Sequence, residues 1–374
     1  MARRLLSYRA GARAAKMDVS IIICTANRAA DLHDTLASLA RVSRPGRTEL
    51  LVVDNRSTDH TPQIVEEAAR HLPFPVRYLF EDEAGKYAAL NAGIRASKGR
   101  VIVATDDDAR FEQDWLERAV DGLSRYGCEF VGGRVDPIWG GQKPAWLLER
   151  NGLHAKVIAL LDHGDRVREF GCGISWPLGV NVAYRRDVFE RVGLFDNRLG
   201  GKTGTLRNQA QREWHLRARA AGARGFYLPE MVVHHLVARD RLEKQYFRRW
   251  LYWHGISRAM LFLQRGFDME EPELERPPYA GDRQVGGVPL HLIRKALRST
   301  LSLMWQTLKG NVAAAFEYEL WLCFFAGVVR QRWADRHLPI AAGPASVKAI
   351  RAVADPGAQP ATALVNAARR SRSA

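Results

Sequence analysis

The first hundred or so residues alternate between short apolar runs and segments whose apolar positions recur every three or four residues. Val19 to Cys24 is uncharged and rich in branched side chains. Glu49 to Val53, Val76 to Phe80 and Val101 to Thr105 repeat the pattern with few polar interruptions. Such runs predict strands buried on both faces of a sheet. Between them, helices are predicted through Leu32, Leu36 and Leu39, through Ile64, Ala68 and Leu72, and through Ala88, Leu90 and Ile94. Thr61 then Pro62 reads as a cap followed by the first helical position, Gly85-Lys86 opens the third helix, and Gly99 stops it. Strand and helix in alternation predict βαβ units, and so an α/β fold with a mainly parallel sheet flanked by helices.

In such sheets ligands bind beyond the carboxyl ends of the strands. There the predicted strands run into Thr25-Ala26-Asn27-Arg28, into Asp54-Asn55-Arg56-Ser57-Thr58-Asp59, and into Asp106-Asp107-Asp108. Two carboxylates about 4 Å apart at an effective dielectric of about 20 repel by roughly 4 kcal/mol. A divalent cation reverses that sign, since Mg²⁺ and Mn²⁺ prefer carboxylate oxygens. In an extended segment Asp106 and Asp108 would share a face and a metal; the alternative is a solvated acidic turn. Neither a GxGxxG nor a GxxxxGK[ST] loop is present, so phosphates fall to the metal and to cations such as Lys86.

Beyond residue 136 the pattern changes. Trp139, Trp146 and Trp176 stand among glycines, either as flat aromatic faces lining a cleft or as a Trp-rich core. From Arg239, basic residues interleave with Tyr246, Phe247, Trp250, Tyr252 and Trp253, a mixture suited to phosphate-rich partners. A linker over 267–288 leads to a helix opening at Pro289, with Leu290, Ile293, Leu297, Leu301, Met304 and Leu308 in one stripe, either core or membrane contact. The run from Val312 to Val329 is broken by Glu317 and Glu319, leaving ten uncharged residues, too few to cross a bilayer as a helix. A helical extension packed on the domain or lying on a membrane surface is predicted.

Charge sharpens this picture. A net charge of +15 and a pI near 10.0 imply an anionic partner: nucleic acid, a lipid surface or phosphorylated substrates. Much of the charge sits in the termini and in 239–258, not along one domain face, so no specific nucleic acid is expected. Cys24, Cys128, Cys172 and Cys323 show no metal or redox spacing and read as reduced thiols of a cytosolic protein. The basic stretch 1–16 has no apolar core for export and is expected to be disordered, as is the tail 341–374. The predicted division is a catalytic domain over 17–240 and a helical extension over 241–340.

Several pieces, in order, resemble glycosyltransferase family 2, of the GT-A type. They are Val19 to Ile23 with Thr25 and Asn27-Arg28; Val52-Val53-Asp54-Asn55; Gly85-Lys86 with Ala89 to Gly93; and Asp106 to Asp108, a DXD-type motif. Gly179, Asn181, Val192 to Asp196, Tyr227, Pro229 and His235 follow. The resemblance covers roughly 19–240. It implies that Asp54 reads the nucleotide base, that Asp106, Asp107 and Asp108 handle the ribose and the metal–diphosphate, and that Thr25, Asn27, Arg28 and Lys86 line the nucleotide pocket. It further implies His235 as a third metal ligand and Trp176, Gly179 and Asn181 on the acceptor side. From the residues alone, the alternatives are that Asp54 caps a turn, that Lys86 is a surface residue at a helix start and that His235 is packed or hydrogen-bonded. Chemically, the resemblance implies inverting transfer of a sugar from a nucleotide diphosphate sugar, a UDP-sugar favoured, to a hydroxyl of a glycan or lipid-linked acceptor, with Mg²⁺ or Mn²⁺.

One segment departs from the family pattern. Where a carboxylate pair supplies the general base, this chain has Asn208-Gln209-Ala210-Gln211-Arg212-Glu213-Trp214. Glu213 is the nearest acid and the expected base; if it points away, Ala210 or Gln211 holds the base's place. A nucleotidyltransferase, a nucleic-acid-binding protein and a glycosyltransferase-like protein without catalysis are the rival readings. The expected location is cytoplasmic, at the inner face of a bacterial membrane, in cell-envelope polysaccharide synthesis.

Overall fold

The computed structural model describes residues 5–7, 18–147, 153–171, 173–201, 204–265 and 283–338. A short strand β1 (Leu5–Ser7) precedes β2 (Val19–Thr25), α1 (Ala29–Leu39), β3 (Thr48–Asp54), α2 (Thr61–His71), β4 (Val76–Phe80), α3 (Lys86–Ala96) and β5 (Val101–Asp106). The chain continues through β6 (Ala109–Phe111), α4 (Trp115–Arg125), β7 (Phe130–Trp139), α5 (Leu153–Val157), β8 (Arg168–Glu169), β9 (Val182–Arg185), α6 (Arg186–Val192), α7 (Ala210–Ala220) and β10 (Gly225–Val237). Three long helices follow: α8 (Lys244–Arg265), α9 (Leu290–Leu308) and α10 (Val312–Ala334).

The strands form one sheet in the order β1-β4-β3-β2-β5-β9-β7-β10-β6, with β8 against β10. β4, β3, β2 and β5 are parallel, as the alternating pattern predicts. β9 then runs antiparallel to both β5 and β7, while β7 and β10 are parallel. The reversal has a local cause. A parallel return needs a full crossover, yet between β7 and β9 the described chain carries only the five-residue α5 and the two-residue β8. The segment therefore stays above the carboxyl ends of the strands and builds a wall there. The N-terminal stretch expected to be disordered contributes β1, antiparallel on the edge of β4. The rest of 1–17, the tail 341–374 and most of the expected linker lie outside the described residues.

Each face of the sheet is covered. Leu32, Leu36, Val65, Trp115 and Leu116 bring α1, α2 and α4 onto one side. Leu90, Val188 and Trp214 bring α3, α6 and α7 onto the other. A separate core joins the long helices through Phe247, Leu251, Leu292, Phe316, Leu320 and Val328.

The helical extension differs from expectation in one respect. On α9, Leu292, Ala296 and Ser299 are buried, whereas Leu297, Leu301, Met304, Trp305 and Leu308 are 57–82% exposed. Most of the apolar stripe therefore faces outward and is not core. The segment read as too short to span forms the 23-residue α10, which among the described residues is the one helix long and apolar enough to cross a bilayer. Its inner side packs against α8, and Glu319 accepts from Arg248 Nε at 2.6 Å.

The α8–α10 contact depends on missing side chains. A Cβ on Gly327 would lie 2.0 Å from Tyr252 O, and one on Gly255 would lie 2.0 Å from Phe324 O. Backbone cannot yield as a side chain end can. Gly327→Leu is therefore expected to cost at least the about 1–3 kcal/mol of an overpacked core, read as a lower denaturant midpoint; an unchanged midpoint would show that the helices do not pack this closely.

Candidate active site

The acidic triplet is shaped by its neighbours. β5 ends at Asp106, and Asp107-Asp108 form a turn into β6, so the segment is not extended as expected. β6 pairs antiparallel with β10, with Ala109 opposite His235, and Leu236 N donates to Asp108 O at 3.0 Å. That register brings His235 Nε2 to 3.3 Å from Asp108 Oδ1. From α1, Thr35 Oγ1 donates to Asp107 O at 2.8 Å. Arg28, at the start of the same helix, donates from Nη1 to Asp107 Oδ1 at 2.9 Å and to Asp108 Oδ2 at 2.8 Å. Lys86, the first residue of α3, reaches Asp106 Oδ1 at 2.5 Å.

Burial and charge separate the acids. Burial, opposed by Arg28, raises the Asp107 carboxyl to about 6. Burial acts on Asp108 in the same direction, but the His235 imidazole, Arg28 and Arg241 outweigh it and hold that carboxyl well below the usual range. Ligand atoms of Asp106, Asp108 and His235 lie within 4.8 Å of one another. Asp108 Oδ1 and His235 Nδ1 are buried without a hydrogen-bond partner among the described residues. A buried polar atom left this way is costly. Glu49, at the opposite ends of the strands, shows the structural alternative: it accepts from Ser20, Arg77 and the amide of Lys98. The oxygen and imidazole donors around Asp108 thus suit a hard divalent cation such as Mg²⁺ or Mn²⁺.

Two cavities meet over this cluster. One, of about 260 Å³, is lined by Thr25, Ala26, Arg28, Asn55 and the three acids. The other, of about 430 Å³, lies under the wall built by 156–180 and against α7 and α8. Lys86, Asp106, His235 and Arg241 line both.

Of the residues expected at the site, Thr25, Arg28, Lys86, Asp106, Asp107, Asp108 and His235 line the first cavity. Trp176 and Gly179 line the second, where Trp176 stacks on His215 at 5.4 Å and 2°. Four others are placed differently. Asp54 lines neither cavity; it accepts from Tyr78 Oη at 2.6 Å and Ser57 N at 2.8 Å, holding the turn after β3. Asn27 accepts from Thr58 N at 2.7 Å and, at a φ of 53°, ties the loops after β2 and β3 together. Asn181 is fully buried, accepting from Trp115 Nε1 and donating to Arg134 O and Met231 O.

Glu213, the expected base, also lies outside the cleft. It is 1% exposed, paired with Arg217 through both oxygens at 3.0 Å and with Arg265 at 2.7 Å. Arg217 in turn donates to Leu194 O at 2.8 Å. On a helix, residues two apart point to different sides, so while Glu213 faces this ion-pair network, Gln211 faces the cleft. Gln211 donates to Tyr184 Oη at 3.4 Å and lies beside Gly179. Sequence reading missed Tyr246, Trp250, His254 and Arg258, a stripe at spacing four along α8 that lines the second cavity. That spacing was visible, but the residues were read only as basic and aromatic surface.

The Glu213 network has a measurable consequence. Glu213→Gln removes the charge shared by the partly buried Arg217 and the exposed Arg265, and is expected to cost about 1–3 kcal/mol of stability. The check is denaturant unfolding beside nucleotide affinity: stability should fall and affinity should hold, whereas a loss of turnover with full stability would return Glu213 to the base's role.

The glycosyl transferase family 2 model matches residues 20–193. The chain is 33% identical over 183 residues to Glycosyltransferase AglE of Haloferax volcanii, an overlap of 48% of this chain and 57% of that protein; it thus spans little more than half of that relative's length. With the glucosyl-dolichyl phosphate glucuronosyltransferase of the same organism it shares 25% identity, over 66% of this chain and 78% of the other. Among solved structures, a mannosyltransferase from Pyrobaculum calidifontis in complex with GDP-Man and Mn²⁺ superposes with a TM-score of 0.56 and 20% identity, covering 86% of this chain and 88% of that one, a likeness of fold. With the sheet order, the acidic turn and the ordered motifs, these matches show that the chain has a GT-A fold and that its residues 20–193 are similar to glycosyltransferase family 2.

Proposed function

We propose that the protein transfers a sugar, with inversion, from a nucleotide diphosphate sugar to an acceptor oxygen, with a divalent cation held by Asp106, Asp108 and His235. The observation that carries this reading is the meeting of two cavities over those three residues. The nucleotide side takes the smaller cavity, where Thr25, Arg28 and Asn55 face the base and ribose. Acceptor and leaving group then lie on opposite sides of the acidic turn, as a single displacement requires. Lys86 and Arg241, lining both cavities, add positive charge where the diphosphate departs. When bound, the cation offsets the charge growing on the leaving diphosphate. Burial raises the Asp107 carboxyl, while His235, Arg28 and Arg241 hold Asp108 low, so Asp108 is the stronger anion of the two.

Nucleotide affinity measured calorimetrically with Mn²⁺ tests the site. Asp108→Ala should weaken binding of UDP or GDP by more than the about 10–100-fold seen when only an outer partner of a metal ligand is lost. Removing Mn²⁺ with a chelator should do the same to the unaltered protein. Equal affinity with and without the metal would sink the assignment.

A lipid-linked acceptor fits the extension. One relative is named for a dolichyl phosphate substrate, and α9 presents Leu297, Leu301, Met304, Trp305 and Leu308 beside exposed Arg294, Arg298 and Lys309. Lys309 lies 4.6 Å over the Trp305 ring. An apolar stripe rimmed by cations suits an anionic membrane surface, each nearby Lys or Arg adding about 1 kcal/mol. Co-sedimentation with anionic vesicles at low salt should be strong and should fall in the Leu301→Glu, Trp305→Glu double variant; vesicle binding equal in both would assign the attraction to charge elsewhere.

A further inference from the structure

The segment 208–213 brings no carboxylate to the larger cavity. A hydroxyl that attacks an anomeric carbon gives up a proton, and a positioned base takes it. Among the described residues Asp106 is the one carboxylate lining that cavity, and Lys86 pairs with it. Glu213 is held by Arg217 and Arg265, and the amide of Gln211 takes no proton at neutral pH. Three imidazoles line the same space. His235 stands against Asp108 in the metal cluster. His215 is 0% exposed and stacked on Trp176. His254 is partly exposed, one turn along α8 from Trp250.

The tautomer of His254 follows from a chain of hydrogen bonds that starts at the main chain. Gln209 Nε2 lies 3.3 Å from the main-chain O of Asn208, which only accepts, so that end of the amide is the donor. It also donates to Asn208 Oδ1 at 3.0 Å, which orients the Asn208 amide in turn. His254 Nδ1 stands 3.0 Å from that Oδ1 and therefore carries the proton; a bare nitrogen there would set two lone pairs against each other. Gln209 Nε2 lies 3.4 Å from Nδ1, the longer of the two approaches. Nε2 is then the nitrogen with the open lone pair. Trp250 stacks on the ring at 4.8 Å and 15°, which fixes its plane. The amides hold a second sign of a ligand. Asn208 Nδ2 and Gln209 Oε1 are buried with no hydrogen-bond partner among the described residues, and both residues line the cavity. Gln209 is 3% exposed, and a donor and an acceptor left unmade at such depth are costly. Hydroxyls of a bound molecule satisfy both.

We infer that His254 is the general base of the transfer, taking the acceptor's proton on Nε2, with Asn208 holding it in the tautomer this needs. The inference rests on the transferase reading above and names the proton acceptor of the same reaction. As a lone pair of the hydroxyl oxygen forms the bond to the anomeric carbon, the hydroxyl proton passes to Nε2. The bond from that carbon to the nucleotide diphosphate breaks, and its electron pair leaves on the diphosphate. The imidazolium returns its proton to water once the product has gone. Burial, with Arg258 on α8, Lys156 on α5 and Arg212 on α7, holds the ring well below its ordinary pKa, so it is neutral and able to accept at pH 7. The negative charge of a bound donor acts against that shift and strengthens the base when both substrates are present.

The test uses the full chain with Mn²⁺ and follows nucleotide diphosphate release from a panel of UDP- and GDP-sugars, with methyl glycosides or water as acceptor. His254→Gln should lower kcat by about 10²–10⁴, with acceptor KM and nucleotide affinity nearly kept; the affinity is the control for folding. His254→Ala should be as slow and should recover on adding imidazole, which a merely structural loss would not do. Nitrogen NMR of the histidine-labelled chain should show His254 protonated at Nδ1 and bare at Nε2 at pH 7, and mixed tautomers in Asn208→Ala. Turnover unchanged in His254→Gln, a loss confined to acceptor KM, a rate that imidazole does not raise, or a proton on Nε2 in place of Nδ1 would each overturn the inference and leave the transferase reading intact. Nucleotide binding with Mn²⁺ but no release from any donor would likewise overturn it. Absence of Mn²⁺-dependent nucleotide binding would overturn the reading beneath it.

Discussion

Three consecutive carboxylates at the end of a buried strand repel one another, and the positions of four separate segments answer that repulsion. Arg28 arrives at the start of α1, Lys86 at the start of α3, His235 on β10 and Arg241 just after it. Each is placed by the sheet. β2 and β5 are neighbours, so the loop after β2 carries Arg28 to the turn after β5; the pairing of β6 with β10 supplies His235. The topology thus brings basic side chains and an imidazole from distant segments to one anionic turn, where His235 Nε2 stands 3.3 Å from Asp108 Oδ1.

The contrast with Glu49 clarifies what such a turn is for. Both acids are buried near strand ends, but at opposite ends of the sheet. Glu49 is surrounded by a hydroxyl, a guanidinium and an amide, which leaves no room for chemistry. The acids at the other end keep open faces toward two cavities. The parallel half of the sheet directs this difference, since the loops that hold ligands gather where its strands end.

Much of this was legible from the chain. The strands and helices of the first hundred residues follow from runs of Ile, Val and Leu whose period changes between buried strand and amphipathic helix. The acidic triplet announced itself because nothing local could offset three adjacent charges. Asp54, Asn27 and Asn181 were harder. Their side chains have the chemistry of binding groups, and only the partners reveal that Tyr78, Thr58 and Trp115 engage them. Glu213 was misjudged for a related reason: a helix turns about 100° per residue, so a displacement of two positions moves a carboxylate from cleft to ion pair. The reversal of β9 and the outward face of α9 depend on tertiary packing that periodicity does not encode.

The helix α8 has two unlike neighbours. One side closes the larger cavity with Tyr246, Trp250, His254 and Arg258, and Gly255 on the same helix lets α10 approach to backbone contact. The lining of the larger cavity and the assembly of the extension are therefore written on one element, with His254 and Gly255 side by side. Exchange of the extension at a boundary near residue 240 would replace the side of the larger cavity formed by Tyr246, Trp250, His254 and Arg258 and leave the wall at 156–180 and α7 in place. A change of residue along α8 is thus expected to reshape that side of the cavity and the α8–α10 contact together.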